Sequence, residues 1–430
     1  MHPLSPLVRY GSTVGVSVLV LAGDIAGGAV QRGSFAYLHL AVLVSITLLA
    51  LGGVVAWWVT TWRIDGQHLQ IRSGLIRRQS LRIPLVRIQA VDVIAPFLAR
   101  VLGLAEVRVV LAGRGEERGR LAYLTRPNAV MMRAQLLALA HGFTAETPEP
   151  PSRPVLAVNN ARLTLAILLS APTVMSASLL VALVATAAGP ARATVALGPE
   201  ATVLFALVTG LWTRFLRDFN FVISEAGDGL RIQRGALQLH AETIPYGRIQ
   251  AVRWVEPLLW RPLGWCRLEV DVARQRGPHG SKEEGQLQSR MLLPYGSSEQ
   301  AAWLLSRTLP GASPLAPVGS GPPRRARYRA PFSYHYLRFW DDGGRYVAAR
   351  TGRIRPATVI VPFEKVQSLR LVSGPVQRAL RLANLHVDTA GRRWQARAEC
   401  RDAAEADALI MRLSVLAREA RRMSGAPMAG

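Results

Sequence analysis

Four long apolar runs alternate along the chain with regions of mixed polarity. The runs cover residues 14–30, 35–62, 161–189 and 195–216. About 20 apolar residues suffice to cross a bilayer as a helix, and only short polar turns separate the members of each pair. The pattern therefore predicts four transmembrane helices in two hairpins, at residues 10–62 and 158–216.

The first run is the weakest of the four, because Asp24 and several glycines interrupt it. A signal peptide with Arg9 as its basic flank is the alternative interpretation, although no convincing cleavage site supports it. Ionisable side chains inside a membrane usually face a bundle interior or a partner. We interpret Asp24 as a packing or assembly residue, with a transport pathway as the alternative.

The regions between and after the hairpins have the pattern of strands followed by a helix. Apolar and polar residues alternate at 69–72, 268–272 and 385–388, as in strands with one buried face. Ala406, Leu409 and Leu413 then keep the three-and-four spacing of an amphipathic helix. The pattern predicts three soluble, β-rich modules, each closed by a C-terminal helix, at residues 63–145, 217–310 and 331–420.

Residues 311–330 separate the second and third modules. This segment is rich in proline, glycine, serine and arginine and has no apolar period, so it is predicted to be a flexible linker. Its arginines are suited either to solvent or to an anionic inner leaflet.

One short stretch, of the form Ile/Val-Pro-x-x-Arg/Lys-Ile/Val-Gln, recurs in every module. A glycine ten residues before its proline and an arginine sixteen residues after it complete the repeat signature. Such self-similarity indicates one structural unit used three times. The three copies of the signature are Gly74, Pro84, Arg87, Gln89 and Arg100; Gly235, Pro245, Arg248, Gln250 and Arg261; and Gly352, Pro362, Lys365, Gln367 and Arg378.

Each signature residue has a structural interpretation and a functional one. The proline suits the first residue of a strand or an edge strand, since it lacks an N–H. The glutamine is expected to bond neighbouring backbone, or else to contact a peptide or a lipid headgroup. The first basic residue suits a solvated strand face, with a phosphate site as the alternative. The arginine sixteen residues after the proline is expected to cap a helix or bridge modules, with anion binding as the alternative.

Composition and charge agree with a membrane-associated protein. Half of the residues are hydrophobic, and the formal net charge is +24, almost all of it from arginine. Because the arginines flank the apolar runs on the module side, both termini and all three modules are predicted to lie in the cytoplasm. This charge favours contact with anionic lipid over nucleic acid, for which no binding motif is present. Cys266 and Cys400 lie in different modules and predict no disulfide framework.

Catalytic chemistry is not indicated by any motif. The eight histidines are scattered, and no metal-ligand spacing, nucleophile elbow or phosphate loop is present. We therefore expect no catalytic residue, no metal and no cofactor, and the protein is predicted not to be an enzyme.

The apolar hairpin, the β-rich module and the repeated proline stretch together resemble the bacterial PH-like domain family of membrane proteins, especially its multi-module members. The resemblance includes Arg100-Val101-Leu102-Gly103-Leu104 and Arg261-Pro262-Leu263-Gly264-Trp265 and covers nearly the whole chain except the linker. The third copy departs from it, with Arg381 where the others have glycine. The resemblance implies a split, seven-stranded, barrel-like sheet closed by a helix.

From these features the protein is predicted to be a scaffold in a bacterial cytoplasmic membrane. Three PH-like modules would serve protein–protein assembly at the inner leaflet, with membrane lipids and either a second copy or a smaller single-module relative as partners. The resemblance adds a role in envelope stress or in resistance to membrane-active peptides. A transporter or lipid-handling protein that uses the helices and Asp24 is the alternative.

Overall fold

The computed structural model describes most of the three modules. The described residues are 61–65, 68–73, 79–111, 119–140, 153–188, 197–227, 229–237, 239–273, 289–313, 319–391 and 393–425, with single helical positions at 44, 47, 51, 55, 58 and 59. The chain divides into two compact units. Unit 1 contains Met1–Leu156, Asn220–Thr243 and Gln275–Gly277, and unit 2 contains Ala157–Phe219, Ile244–Arg274 and Pro278–Gly430.

Unit 1 contains the first module and the first three strands of the second. Strands β1 to β3 form an antiparallel sheet, and a second sheet has the order β6-β5-β4-β10-β9-β8-β7. The strands, which lie wholly or mainly in this unit, are β1 (Thr61–Asp65), β2 (His68–Ser73), β3 (Gln79–Pro84), β4 (Ile88–Ala95), β5 (Leu104–Leu111), β6 (Gly119–Thr125), β7 (Arg153–Ala157), β8 (Val222–Ala226), β9 (Gly229–Arg234) and β10 (Leu239–Pro245).

The core of the first module lies between its two sheets and a helix. Helix α1 (Phe97–Val101) follows β4, and helix α2 (Arg126–Ala140) follows β6. Leu69 and Ile83 from the first sheet pack in one cluster with Val107 from the second and Leu136 from α2. Alternation of apolar residues along each strand supplies one buried face, which the helix covers.

Unit 2 contains the rest of the second module and all of the third. One sheet has the order β13-β12-β11-β16-β15-β14, and a second has the order β17-β18-β19. The strands are β11 (Ile249–Val255), β12 (Trp265–Val272), β13 (Ser289–Ser297), β14 (Arg338–Asp341), β15 (Tyr346–Thr351), β16 (Ala357–Pro362), β17 (Val366–Val372), β18 (Leu382–Thr389) and β19 (Ala396–Asp402).

The helices of unit 2 include three that precede β11 in the chain and three that follow it. They are α3 (Asn160–Leu168), α4 (Ala171–Ala188), α5 (Leu197–Asp218), α6 (Ser298–Thr308), α7 (Pro375–Ala379) and α8 (Ala403–Gly425). A reciprocal capping box of Ser297 and Gln300 fixes the start of α6. In the third module, Val361, Leu385 and Leu413 of α8 share one buried cluster.

The three modules are not separate barrels, because two of the sheets pass from one module to the next. Strand β4 of module 1 pairs with β10 of module 2, and β11 of module 2 pairs with β16 of module 3. Each module contributes six strands in the described residues, and β7, which lies between modules 1 and 2 in the chain, joins the sheet at its edge; the family resemblance implied seven strands in each module. The expectation of three barrel-like modules, each closed by its own C-terminal helix, is corrected to modules that share sheets.

The prediction of four transmembrane helices in two hairpins is wrong. In the described part of the chain no single helix is both long and apolar enough to span a bilayer. Asn160–Leu168 and Ala171–Ala182 reach that length and apolarity only together, across a bend of 56°. Helix α5 combines its apolar stretch with Glu200, Arg214 and Arg217, which weakens it as a span.

The predicted first hairpin, at residues 10–62, lies almost entirely outside the described residues, and Asp24 lies outside them as well.

Part of the predicted linker packs against module 3. Arg401 is buried at 1% exposure and donates to the Ser320 hydroxyl at 2.7 Å and to the Gly321 carbonyl at 3.0 Å. Ala326, on a 3₁₀ turn, is also buried. The buried arginine therefore holds residues 319–330 on the module, whereas polar composition alone predicts a solvated linker.

Candidate functional site

The two junctions between modules have the same strand register. Val93 lies nine residues after Pro84 and pairs with Ala241, which lies four residues before Pro245. Trp254 lies nine residues after its own module's proline, Pro245, and pairs with Thr358, which lies four residues before Pro362. In both places the fourth strand of one module accepts the third strand of the next in the same alignment. We call these two places junction 1/2 and junction 2/3.

The signature arginine of one module contacts the backbone beside the signature glycine of the next. In junction 1/2, the guanidinium of Arg100 donates to the carbonyl of Ala236, which follows Gly235. In junction 2/3, Arg261 donates to the carbonyl of Arg353, which follows Gly352, at 2.7 Å. The signature arginine and the signature glycine thus lie on the two sides of one inter-module contact.

The glycine is needed at this contact because of the backbone conformation. Gly235 has a φ of 116° and Gly352 a φ of 91°, in the region that side chains disfavour. A Cβ on Gly352 would also lie 2.8 Å from the carbonyl oxygen of Arg355. The turn that presents the carbonyl to the arginine therefore requires glycine.

The signature proline marks the corner between the two sheets of a module. Pro84, Pro245 and Pro362 are the last residues of the third strands, and each is followed by a three-residue 3₁₀ turn. The prolines therefore end strands; the prediction placed them at the first residue of a strand or on an edge strand, and Pro84 alone lies on a strand that is an edge among the described residues. Their φ angles of −62°, −65° and −64° match the value that the ring imposes, so proline favours this corner.

The signature glutamines and the first basic residues do not share one environment. Gln250 is buried, and its amide donates to the carbonyl of Arg248 at 3.3 Å. Gln367 is exposed, and Lys365 forms an ion pair with Glu364 at 2.9 Å. The side chains of Arg87 and Gln89 lie outside the described part of the chain, as does the whole of Gly74.

The third signature arginine differs from the other two. Arg378 lies at the end of α7, as Arg100 lies near the end of α1, but its side chain is exposed and has no polar partner in the described residues. The backbone beside it is nevertheless equivalent. Arg381 has a φ of 52°, close to the 69° of Gly103 and the 62° of Gly264. The third module thus keeps the local fold although the glycine is replaced.

Junction 2/3 contains additional polar contacts that the sequence signature does not include. The Arg253 guanidinium lies 3.8 Å from the ring centroid of Trp394. Arg253 also pairs with Glu269 at 3.1 Å, and Arg350 pairs with Glu256 at 2.9 Å. The contacts of Arg253 with Trp394 and of Arg350 with Glu256 link module 2 to module 3, and the pair of Arg253 with Glu269 lies within module 2.

A buried carboxylate completes the same junction. Asp271 is fully buried, and its Oδ2 accepts hydrogen bonds from the backbone N–H groups of Arg393 and Trp394 at 2.9 and 3.1 Å. Burial raises the pKa of Asp271 to about 6, although these hydrogen bonds and the charge of Arg393 oppose the shift. The Asp271 carboxyl therefore titrates within an accessible pH range.

Strand polarity is the signal by which junction 2/3 could have been recognised from the sequence; β10 of junction 1/2 reads Leu-His-Ala-Glu-Thr-Ile-Pro and carries no such signal. Strand β16 reads Ala-Thr-Val-Ile-Val-Pro and is buried at every position, whereas β3 reads Gln-Ser-Leu-Arg-Ile-Pro. A continuous apolar strand indicates cover on both faces and on its edge, and an alternating strand indicates one free face. Asp271 and Arg253 had no comparable signal, because single polar residues in strands are usually solvated, and Trp394 lies in a turn with no pattern of its own.

The described residues contain no group of three or more His, Cys, Asp or Glu side chains placed to hold a metal ion. Cys266 and Cys400 are both buried free thiols, and burial raises the pKa of each. The candidate functional site is therefore the set of strand edges and contacts at the two junctions.

These junctions define a tandem array of β-rich modules joined through their sheets. The family model of the bacterial PH domain matches residues 16–140, 165–306 and 315–417, which together include most of the chain. The protein belongs to the bacterial PH domain family, with three copies of the domain. No curated protein and no solved structure matches the chain.

Proposed function

We propose that the protein is a non-enzymatic scaffold at the inner leaflet of a bacterial cytoplasmic membrane. Its three PH-like modules serve protein–protein assembly and do not process a substrate. The observation that carries the proposal is the use of the repeat signature. The signature arginine of module 1 bonds the backbone beside the signature glycine of module 2. The signature arginine of module 2 bonds the backbone beside the signature glycine of module 3 in the same way.

Strand addition is the mode of assembly that the proposal uses. An extended strand that joins an open sheet edge gains main-chain hydrogen bonds, and neighbouring side chains set the specificity. Each module of this chain already uses that mode toward its neighbour. A protein built this way is suited to bind further strands at edges that its own modules leave open.

The membrane component of the proposal rests on the exposed apolar surface of two neighbouring helices. Helices α4 and α5 pack against each other but expose large apolar side chains elsewhere on their surfaces. These side chains are Val174, Met175, Leu180 and Val181 on α4, and Val203, Phe205, Val208 and Trp212 on α5. Exposed apolar side chains on two neighbouring helices of a protein with net charge +24 are suited to contact with anionic lipid.

Membrane association is tested by floating the full-length protein with vesicles. The purified chain in mild detergent is mixed with vesicles of phosphatidylglycerol and phosphatidylethanolamine, and detergent is removed. We expect the protein to float with the lipid and to remain there after a high-salt wash. The double variant Phe205→Ser/Trp212→Ser should float less, whereas Trp303→Ser, an exposed tryptophan on α6, should float as the wild type does. Equal recovery of all three in the unfloated fraction would refute the membrane component.

Assembly is tested by cross-linking in native membranes. Membranes that contain a tagged full-length chain are treated with a short photo-cross-linker that does not need lysine, because the chain has only two lysines. The chain is then purified under denaturing conditions, and the cross-linked peptides are sequenced. We expect cross-links from module surfaces to other polypeptides, including other copies. A chain that cross-links only within itself and is monomeric after purification would contradict the scaffold proposal.

A further inference from the structure

We propose that copies of this protein join head to tail, with β17 of one copy pairing with β3 of the next. The inference rests on the proposed scaffold function and names the partner as a second copy of the same chain. It would form a third junction, equivalent to the two within the chain.

The two strands needed for such a junction lie in the first and the third module. In the part of the chain that the structure describes, β3 is an edge strand of the sheet β1-β2-β3, and β17 is an edge strand of the sheet β17-β18-β19. The equivalents of β3, namely β10 and β16, are both paired with a preceding module, and the equivalents of β17, namely β4 and β11, with a following one. Among the described residues, one strand edge of each kind, on β3 and on β17, is therefore left unpaired.

The register of the existing junctions fixes the pairing at the new one. Transferred to Pro362 and Pro84, it places Leu371 opposite Ser80 and Arg370 opposite Leu81. These pairs match those of junction 2/3, where Trp254 is opposite Thr358 and Arg253 is opposite Val359. A large apolar residue again faces a hydroxyl, and an arginine again faces an aliphatic side chain.

Arg378 supplies a second, independent feature of the same junction. Its equivalents Arg100 and Arg261 reach a backbone carbonyl of the following module. Arg378 is exposed and has no polar side-chain partner among the described residues, as expected for an arginine whose following module belongs to another copy.

The charge on β17 does not protect its edge from pairing. Charged residues on edge strands often prevent pairing with another chain, and Arg370 on β17 is exposed. However, the equivalent positions in β4 and β11 are Asp92 and Arg253, and both of those strands are paired. Arg370 is neutralised by Asp388 at 3.0 Å, much as Glu269 neutralises Arg253. A charge at this position is thus a property of the junction strands.

The proposed contact uses two different surfaces, so it is heterologous. Such contacts produce closed rings when the rotation between copies closes and open filaments when it does not. The expected assembly is therefore larger than a two-fold dimer at high protein concentration.

Cysteine cross-linking tests the pairing and its register. Two differently tagged full-length chains, one with Leu371→Cys and one with Ser80→Cys, are co-expressed and oxidised. Directly opposed residues in antiparallel strands have Cα atoms about 4.5–5.5 Å apart, which a disulfide spans. We expect a cross-linked product that contains both tags. Replacing Ser80→Cys by Leu81→Cys shifts the register by one residue and turns the thiol to the other face, so this control should cross-link poorly.

Self-association is measured separately with variants of exposed residues that leave the fold intact. In sedimentation experiments on the full chain, Arg378→Ala should weaken self-association about tenfold, since a hydrogen bond from a charged group is lost. Arg418→Ala, an exposed arginine on α8 that contacts only its own helix, should leave it unchanged.

Several outcomes would overturn the inference. They are a monomer at all concentrations, no cross-linked product that contains both tags, cross-linking of Leu371→Cys to itself, and equal cross-linking of the shifted control. If native-membrane cross-linking still finds other polypeptides while the chain does not self-associate, the scaffold proposal stands and the second-copy inference fails. If neither is found, both fail.

Discussion

Replacing Asp271 with asparagine removes a buried carboxylate from junction 2/3. The pKa of this carboxyl is raised from 3.8 to about 6 in the folded protein. Above pH 6 the group is ionised in both the folded and the unfolded chain, and burial of the charge destabilises the fold. Below pH 3.8 it is protonated in both states, and this penalty disappears. Stability contributed by Asp271 therefore falls as pH rises between about 4 and 6.

The size of the effect follows from the shift. About two pKa units correspond to about 3 kcal/mol across the whole window, of which about 1.4 kcal/mol falls between pH 5 and pH 8. The side-chain amide in the Asp271→Asn variant would keep an oxygen for the N–H groups of Arg393 and Trp394. Its NH₂ group would occupy the place of Oδ1, which has no hydrogen-bond partner, so the substitution also carries a pH-independent cost of about 1–3 kcal/mol.

Thermal unfolding of the full chain and of Asp271→Asn at pH 5 and pH 8 separates the two contributions. Relative to the wild type, the variant should gain stability on going from pH 5 to pH 8 by about 1.4 kcal/mol, or roughly 3–6 °C in Tm. The pH-independent cost cancels in this comparison. Asp388→Asn provides a carboxylate control, since Arg370 holds the pKa of Asp388 below its ordinary value. If the wild type and Asp271→Asn change in parallel with pH, the assignment of a raised pKa to Asp271 is refuted.

Three further predictions address the junction and the thiols. Arg261→Ala should lower the free energy of unfolding in urea by about 1 kcal/mol, because the variant loses the hydrogen bond to the Arg353 carbonyl, and the loss is small since that bond is exposed to water. An unchanged free energy of unfolding would mean that the bond does not stabilise the fold. Gly352→Ala should cost more than Gly343→Ala, by about 1 kcal/mol or more, since both have positive φ but only Gly352 is crowded; equal costs would contradict this. Cys266 and Cys400 should resist alkylation by iodoacetamide until the protein unfolds, as mass spectrometry would detect.

The sequence is sufficient to predict the repeat, the strand-then-helix order of each module and the family. The fixed spacing of Gly235, Pro245 and Arg261 depends on local backbone geometry, and the structure gives each residue a place consistent with that spacing. The alternation that predicted strands also follows directly from burial of one face. The alternation and the proline corner depend on neighbours within a module, and the glycine and arginine recur because the same contact is repeated at each junction, so all of them leave a signal in the order of residues.

The sharing of sheets between modules could not be predicted in the same way. Pairing of β11 with β16 joins residues about a hundred positions apart, and the sequence of neither strand indicates which strand it pairs with. The burial of Asp271 depends on the turn of another module that holds Arg393 and Trp394. The transmembrane prediction failed for a related reason, because apolar length alone does not show where a helix bends or ends.

The common register of the two junctions has a consequence for how the chain can change in length. Each module offers a third strand on one side and a fourth strand on the other, aligned by its own proline. Removing module 2 as a whole would bring β4 to β16, with Val93 opposite Thr358, and no side chain would change face. Losing a single residue from β10 or β16 would instead reverse every side chain beyond it. Whole modules can therefore be gained or lost by duplication and deletion, while the strands inside them tolerate no change of length.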